Sequence, residues 1–163
     1  MIPLRQHEIV LVEGLREHLG ATVEIVRQNN MGVQPTYPYI AYTPTTLKAV
    51  RGGTGSEVTH GEAVPMTQVW SFSVLSDDSD ACMELAFLAH DWFCSAGNTV
   101  LADKGIAVRR VGDITNRDNF TVVSYEYGQG FDVVLGMVSV MDTTRVKRSG
   151  WIETAPLQGK NKT

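Results

Sequence analysis

The sequence predicts an α+β domain in which an antiparallel or mixed β-sheet packs against two helices, and three observations predict it. Two segments, LRQHEIVLVEGLREHLG and DDSDACMELAFLAHDWFCSAG, carry apolar residues at helical spacing. Strand-like runs lie between and after them, most clearly TQVWSFSVLS and GFDVVLGMVSVMD. The 163 residues, 43% of them hydrophobic, suit one core better than two small ones. The expected domain spans residues 1–144, and residues 145–163 form a basic, flexible tail.

In the first helix Leu4, Leu11, Leu15 and Leu19 lie close to one side with Val12 beside them, and the helix ends near Gly20. VEIVRQN alternates weakly and reads as a strand, followed by a turn in NMGVQPT. YPYIAYTPTT has the Tyr and Ile content of a strand, and Pro38 and Pro44 place it at an edge or make it short. Its Tyr37, Tyr39 and Tyr42 form an aromatic row. Residues 48–63 read as a long glycine-rich loop: GGTGS has neither the GxxxxGK spacing of a P-loop nor the GxGxxG of a dinucleotide loop.

TQVWSFSVLS puts Trp70, Phe72 and Val74 on one face and Ser71 and Ser73 on the other. Ser76 or Asp77 then caps the second helix, whose acidic first turn favours its free N–H groups. Gly97 ends it. GIAVRRVGDI follows as a strand with Ile106, Val108 and Val111 inward and Arg109 and Arg110 at a rim. A hairpin is expected next, FTVVSYEY running out and GFDVVLGMVSVMD running back, with YGQG as its turn. The return strand has Phe131, Val133, Leu135, Met137 and Met141 on one face and Val134, Val138 and Val140 on the other. Two helices cover one face of such a sheet, which leaves the second for a neighbouring subunit.

Charge narrows the function classes. The formal net charge is −4 with a pI near 5.5, which is not the footprint of a nucleic-acid binder. Residues 76–103 hold six acids and no Lys or Arg, whereas residues 145–163 hold five bases and one acid, Glu153. Cys82 and Cys94 fall about 18 Å apart along one helix, too far for a disulfide between them. Free thiols suit a reducing compartment, and neither a leader nor a membrane segment is indicated. No metal or cofactor motif is legible. Asp113, Asp118, Glu126 and Asp132 read as a salt-bridged rim with Arg109, Arg110 and Arg117 rather than as acid/base catalysts. Cys94 and His90 stand at i,i+4 on one helix, with no oxyanion donor recognisable nearby.

FSVLSDDSDACMELAFLAHDWF (72–93) and GIAVRRVGDITNRDNFTVVSYEYGQGFDVVLGM (105–137), with YPYIAYTP upstream, resemble the neck or tail terminator proteins of tailed bacteriophages. The resemblance covers residues 4–141. It rests on Tyr37 and Pro38, on Ser76 to Asp78, on Asn116 and Arg117, on Tyr125 and Glu126, and on Gly130 to Val133. The basic tail and YGQG depart from the family pattern. The resemblance implies a non-enzymatic virion subunit, assembled in the host cytoplasm, that needs no cofactor and meets no membrane. It implies a homohexameric ring that caps the tail tube and docks to the head connector, with genomic DNA only passing through its channel. A head- or tail-completion connector of another type is the alternative, followed by a small enzyme. On this reading the candidate subunit or tube contacts are Tyr37, Tyr39, Tyr42, Arg109, Arg117, Glu126, Phe131, Asp132 and Val134. The candidates for a loop lining the channel are Arg51, Gly52, Gly53, Gly55 and Glu57, with residues 127–130 as second choice.

Overall fold

The computed structural model describes residues 4–28, 32–50, 63–120 and 124–140. Helix α1 (Leu4–Leu19) turns Leu11, Leu15 and Val12 into the core, together with His7, and stops where Gly20 takes a positive φ of 93°. Strand β1 (Glu24–Arg27) pairs in parallel with the start of β2 (Tyr39–Val50), which makes the sheet mixed. Tyr37–Pro38 is a cis peptide. β2 is longer than expected and is flanked by β1 only as far as Tyr42, so Pro44 falls where β2 becomes an edge and its missing N–H leaves no ladder bond unmade.

Strand β3 (Ala63–Ser76) is the spine of the sheet. Its alternation is the one expected, extended at its N-terminal end: Val64, Met66, Gln68, Trp70, Phe72, Val74 and Ser76 are buried and their neighbours less so. Gln68 is tolerated inside because its Oε1 accepts from the Trp70 indole Nε1 at 3.0 Å. Asp78 caps helix α2 (Ser79–Cys94), accepting from the Asp80 N–H at 2.9 Å. Neither Ser76 nor Asp77 fills that role, and the Ser76 hydroxyl instead accepts from the Asp78 N–H at 3.1 Å.

A third helix, α3 (Ala96–Ala102), follows at once, so the sheet packs against three helices rather than two. Gly97 lies inside α3 instead of ending α2. Its Cβ, if it had one, would stand 2.5 Å from the Trp92 ring, and a Cβ on Gly14 of α1 would stand 2.9 Å from the same ring. Gly14 and Gly97 therefore form the walls of a slot that admits the largest side chain in the sequence. Phe93, next to Trp92, reaches the sheet and packs edge-on against Phe131 at 6.0 Å and tilted against Phe72 at 5.0 Å.

Strand β4 (Ala107–Val111) carries Val108 and Val111 toward the core, as expected, with Arg109 and Arg110 exposed. Two inward residues three apart require an irregular strand, and the register with its partner shifts between Val108 and Arg110. Two short strands, β5 (Thr115–Asn116) and β6 (Asn119–Phe120), precede β7 (Tyr125–Val140).

The expected hairpin through YGQG does not form. β7 is one continuous strand paired with β3 from Tyr127 to Val140, so residues 127–130 lie inside the sheet and cannot be a loop tip. Neither Gly128 nor Gly130 has positive φ. The glycines misled here because two glycines among polar residues also mark places where another chain segment crosses a strand closely. The sheet order is β1-β2-β3-β7-β4, with β5 and β6 also pairing with β7. The expected loop bounds of 48 and 63 likewise do not hold, since Lys48, Ala49 and Val50 belong to β2 and Ala63 to β3. Arg51, Gly52, Gly53, Gly55 and Glu57 lie outside the described residues, as do Met141, Trp151, Ile152 and the domain boundary at residue 144. Among the described residues no helix is long and apolar enough to cross a membrane.

Candidate functional site

All three helices pack on one face of the sheet, and the other face is built differently. Alternation along β3 and β7 places Ser71, Ser73, Gly130, Asp132, Val134, Gly136 and Val138 on this second face. At one end the Asn116, Arg117, Asp118 turn folds back over β7. The Arg117 guanidinium donates to the Ser71 hydroxyl at 2.7 Å, the Ser73 hydroxyl at 2.8 Å and the Phe72 carbonyl at 3.3 Å, and pairs with Asp132 Oδ1 at 3.1 Å. Its stem crosses Gly130, where a Cβ would stand 2.6 Å from Cδ. The Arg117 N–H donates to the Gly128 carbonyl at 2.8 Å, and the Gly128 N–H donates to Asp118 Oδ1 at 2.8 Å.

Asp118 completes this clasp. Its Oδ2 accepts from the Tyr125 hydroxyl at 2.6 Å and from the Asn116 amide at 3.0 Å. These bonds favour the carboxylate, so Tyr125 first, then the Gly128 N–H and Asn116, hold the Asp118 carboxyl below its ordinary range. The reciprocal effect raises the Tyr125 phenol. Residues that stand apart in the sequence, Asn116 and Arg117, Tyr125 and Glu126, Gly130 and Asp132, are thus brought to one end of β7.

The tyrosine row divides. The Tyr37 hydroxyl donates to Glu126 Oε1 at 2.7 Å and accepts from Gln34 at 2.7 Å, and its ring stacks on Tyr39 at 5.7 Å. Burial first, and then the Glu126 carboxylate, push the Tyr37 phenol up to about 12. Tyr39, paired with Leu75, belongs to the second face. Tyr42 points the other way, into the core between Trp70 and Phe72, and its hydroxyl donates to Glu8 of α1 at 2.6 Å. Phe131 is also core, 1% exposed against Phe72, Phe93 and His90. A cavity of about 820 Å³ opens beside the clasp, lined by Tyr39, Ser73, Leu75, Arg117, Asp118 and Glu126 with residues 26–28 and 32–35.

Further along the face Arg109 lies across Gly136, close enough that a Cβ there would meet its Nε. Val134 sits half-buried between Val69 and Arg110, and with Pro65, Thr67 and both arginines borders a second cavity of about 500 Å³. The face therefore uses one device twice, an arginine stem laid over a β7 glycine. The sequence displayed the arginines as a rim. What it did not display was which glycines they cover, because that pairing depends on sheet register; Ser71 and Ser73 were missed as partners of Arg117 for the same reason, and of the acids expected to pair with arginines, Asp132 alone does so among the described residues.

The chemistry elsewhere is quiet. His90 Nε2 lies 3.0 Å from the Gly112 carbonyl and therefore carries the proton, which leaves Nδ1 to face the Cys94 thiol at 3.7 Å. Burial and then Asp91 raise that thiol above its ordinary value, the opposite of an activated nucleophile. Cys82, buried and donating to the Val74 and Tyr127 carbonyls, is pushed up to about 11. Among the described residues no three His, Cys, Asp or Glu side chains are grouped to hold a metal ion. No curated protein matches the chain. A family described as phage neck terminator protein matches residues 10–163, further toward the C-terminus than the motifs that first suggested it, and the chain belongs to that family.

Proposed function

We propose that the protein forms a ring, hexameric by the family resemblance, that caps the phage tail tube and presents the surface joining it to the head connector. Family membership supports a neck or tail terminator role. One structural observation supports the ring in particular: the second face of the sheet carries Val134 and an exposed Val138, and none of the helices among the described residues lies over them. Tyr37, Arg109, Arg117, Glu126, Asp132 and Val134 remain contact candidates on this reading; Tyr39, Tyr42 and Phe131 do not, since each is buried within the subunit itself. The tail tube protein and head connector are the partners, genomic DNA only passes through the channel, and the mature location is the virion. Residues 51–62, which join β2 to β3, are assigned to the channel. The domain is assigned to residues 1–144 and the basic tail to 145–163.

The test is mass in solution at several concentrations, with negative-stain imaging of purified tails. A ring of fixed size on the tail end, or in solution at high concentration, is expected. Protein that stays monomeric in solution and is absent from tail ends would overturn the reading.

A further inference from the structure

Two surfaces of the subunit point away from its core in opposite directions and carry complementary chemistry. The outer stripe of α2 runs through Asp80, Met83, Glu84, Phe87, Leu88 and Asp91, at steps of three and four residues that keep them on one side. Met83, Phe87 and Leu88 are 40%, 60% and 47% exposed, a contiguous apolar strip on a helix whose neighbourhood, residues 76–103, contains no Lys or Arg. Across the molecule, on the open face of the sheet, Val138 is 61% exposed opposite Pro65, and Val134 lies two residues before Gly136 with Arg109 and Arg110 beside it. Among the described residues no carboxylate lies within ion-pair distance of either arginine.

Apolar surface framed by acid on one side of the molecule and by arginine on the other has a definite consequence for self-association. Like faces meeting would oppose acid to acid or arginine to arginine, which is unfavourable. Unlike faces meeting bury both apolar strips and pair the charges. Such a contact is heterologous, and repeated heterologous contacts generate a closed ring when the rotation between copies closes. We propose that the outer face of α2 in one subunit docks on the Val134 and Val138 strip of the next, with Glu84 and Asp91 facing Arg109 and Arg110 at the rim. The occupant is a second copy of this chain, and the proposal rests on the ring reading given above.

The experiment is site-directed cross-linking in a Cys94→Ser background, which removes the exposed thiol at the end of the same helix. Phe87→Cys and Val138→Cys variants are prepared separately, checked for folding by circular dichroism, and treated with a short bifunctional maleimide alone and mixed, in solution and on tails. Covalent dimers in the mixture but in neither variant alone are expected, and the double variant gives a ladder that ends at the ring size. Cross-linking of either single variant with itself would overturn the proposal in favour of a like-face contact. Rings that form without the 87-to-138 product would overturn it while leaving the ring itself standing. Wild-type protein that forms no ring, in solution or on tails, removes the ring reading and this interface together. Charge reversal gives a second route that does not depend on the cysteine variants folding. Glu84→Arg and Arg110→Glu each weaken assembly by about tenfold, and their combination recovers most of the loss; no recovery counts against the interface.

Discussion

The two faces of one sheet solve different problems with different residues. Under the helices, Trp70, Phe72, Val133 and Leu135 are held by shape, interlocking with Phe93 and with Trp92 in its glycine slot. On the open face, order comes from hydrogen bonds donated by a cation: Arg117 ties β3 to β7 through two serines, a carbonyl and an aspartate, all in a place where water reaches. Packing of the first kind tolerates no loss of volume. Bonding of the second kind gives less per contact but leaves the surface free to meet something else.

The comparison can be broken hardest on the covered face. Trp92→Ala removes a ring that is 2% exposed and empties the slot between Gly14 and Gly97, so a loss of about 3–5 kcal/mol is expected in denaturant melts. A shift near zero would show that Trp92 is not the joint between α1, α2 and α3. Next in size is Gly128→Ala, where the new methyl meets the backbone of Arg117 rather than a side chain that can swing away. About 1–3 kcal/mol is expected, with weakened protection of β5 and of the β7 amides paired to it by hydrogen exchange. Arg117→Lys comes third. A lysine keeps the charge near Asp132 but lacks the planar fork that reaches Ser71 and Ser73 together, so about 1–2 kcal/mol is lost even though charge is conserved.

Legibility followed the same division. Strict alternation in β3 announced its buried face, and helical spacing announced α2 itself, because burial against a continuous apolar layer forces periodicity on the sequence. α3 escaped notice because seven residues, AGNTVLA, are too few to show a period and begin beside a glycine that looked like a stop. YGQG reads as a turn because glycine frequency cannot distinguish a backbone that bends from one that is crossed. The clasp could not be assembled from sequence for a related reason. Arg117 reaches Ser71 and Ser73 across 46 and 44 positions, and only the pairing of β3 with β7 decides that they meet.

The smallest expected change in stability carries the most information about function. Val138→Asp places a carboxylate at a position that is 61% exposed in the single subunit, so the substitution costs the fold under about 1 kcal/mol, mostly through the poor strand propensity of aspartate. Val138 is a cleaner probe than Val134, whose half-buried side chain between Val69 and Arg110 would mix a folding penalty with an assembly penalty. If the open face meets the acidic outer side of α2 in a neighbour, the same carboxylate becomes buried and faces like charge, which costs several kcal/mol at every contact around a ring. The expected outcome is therefore a monomer with an unchanged melting transition that no longer forms rings in solution and leaves tails unjoined to filled heads in complementation lysates. A variant that assembles normally would show that Val138 stays in water after assembly. One that melts well below the wild type would show that the open face belongs to the subunit's own core, and the contrast between the two faces would then be one of composition alone.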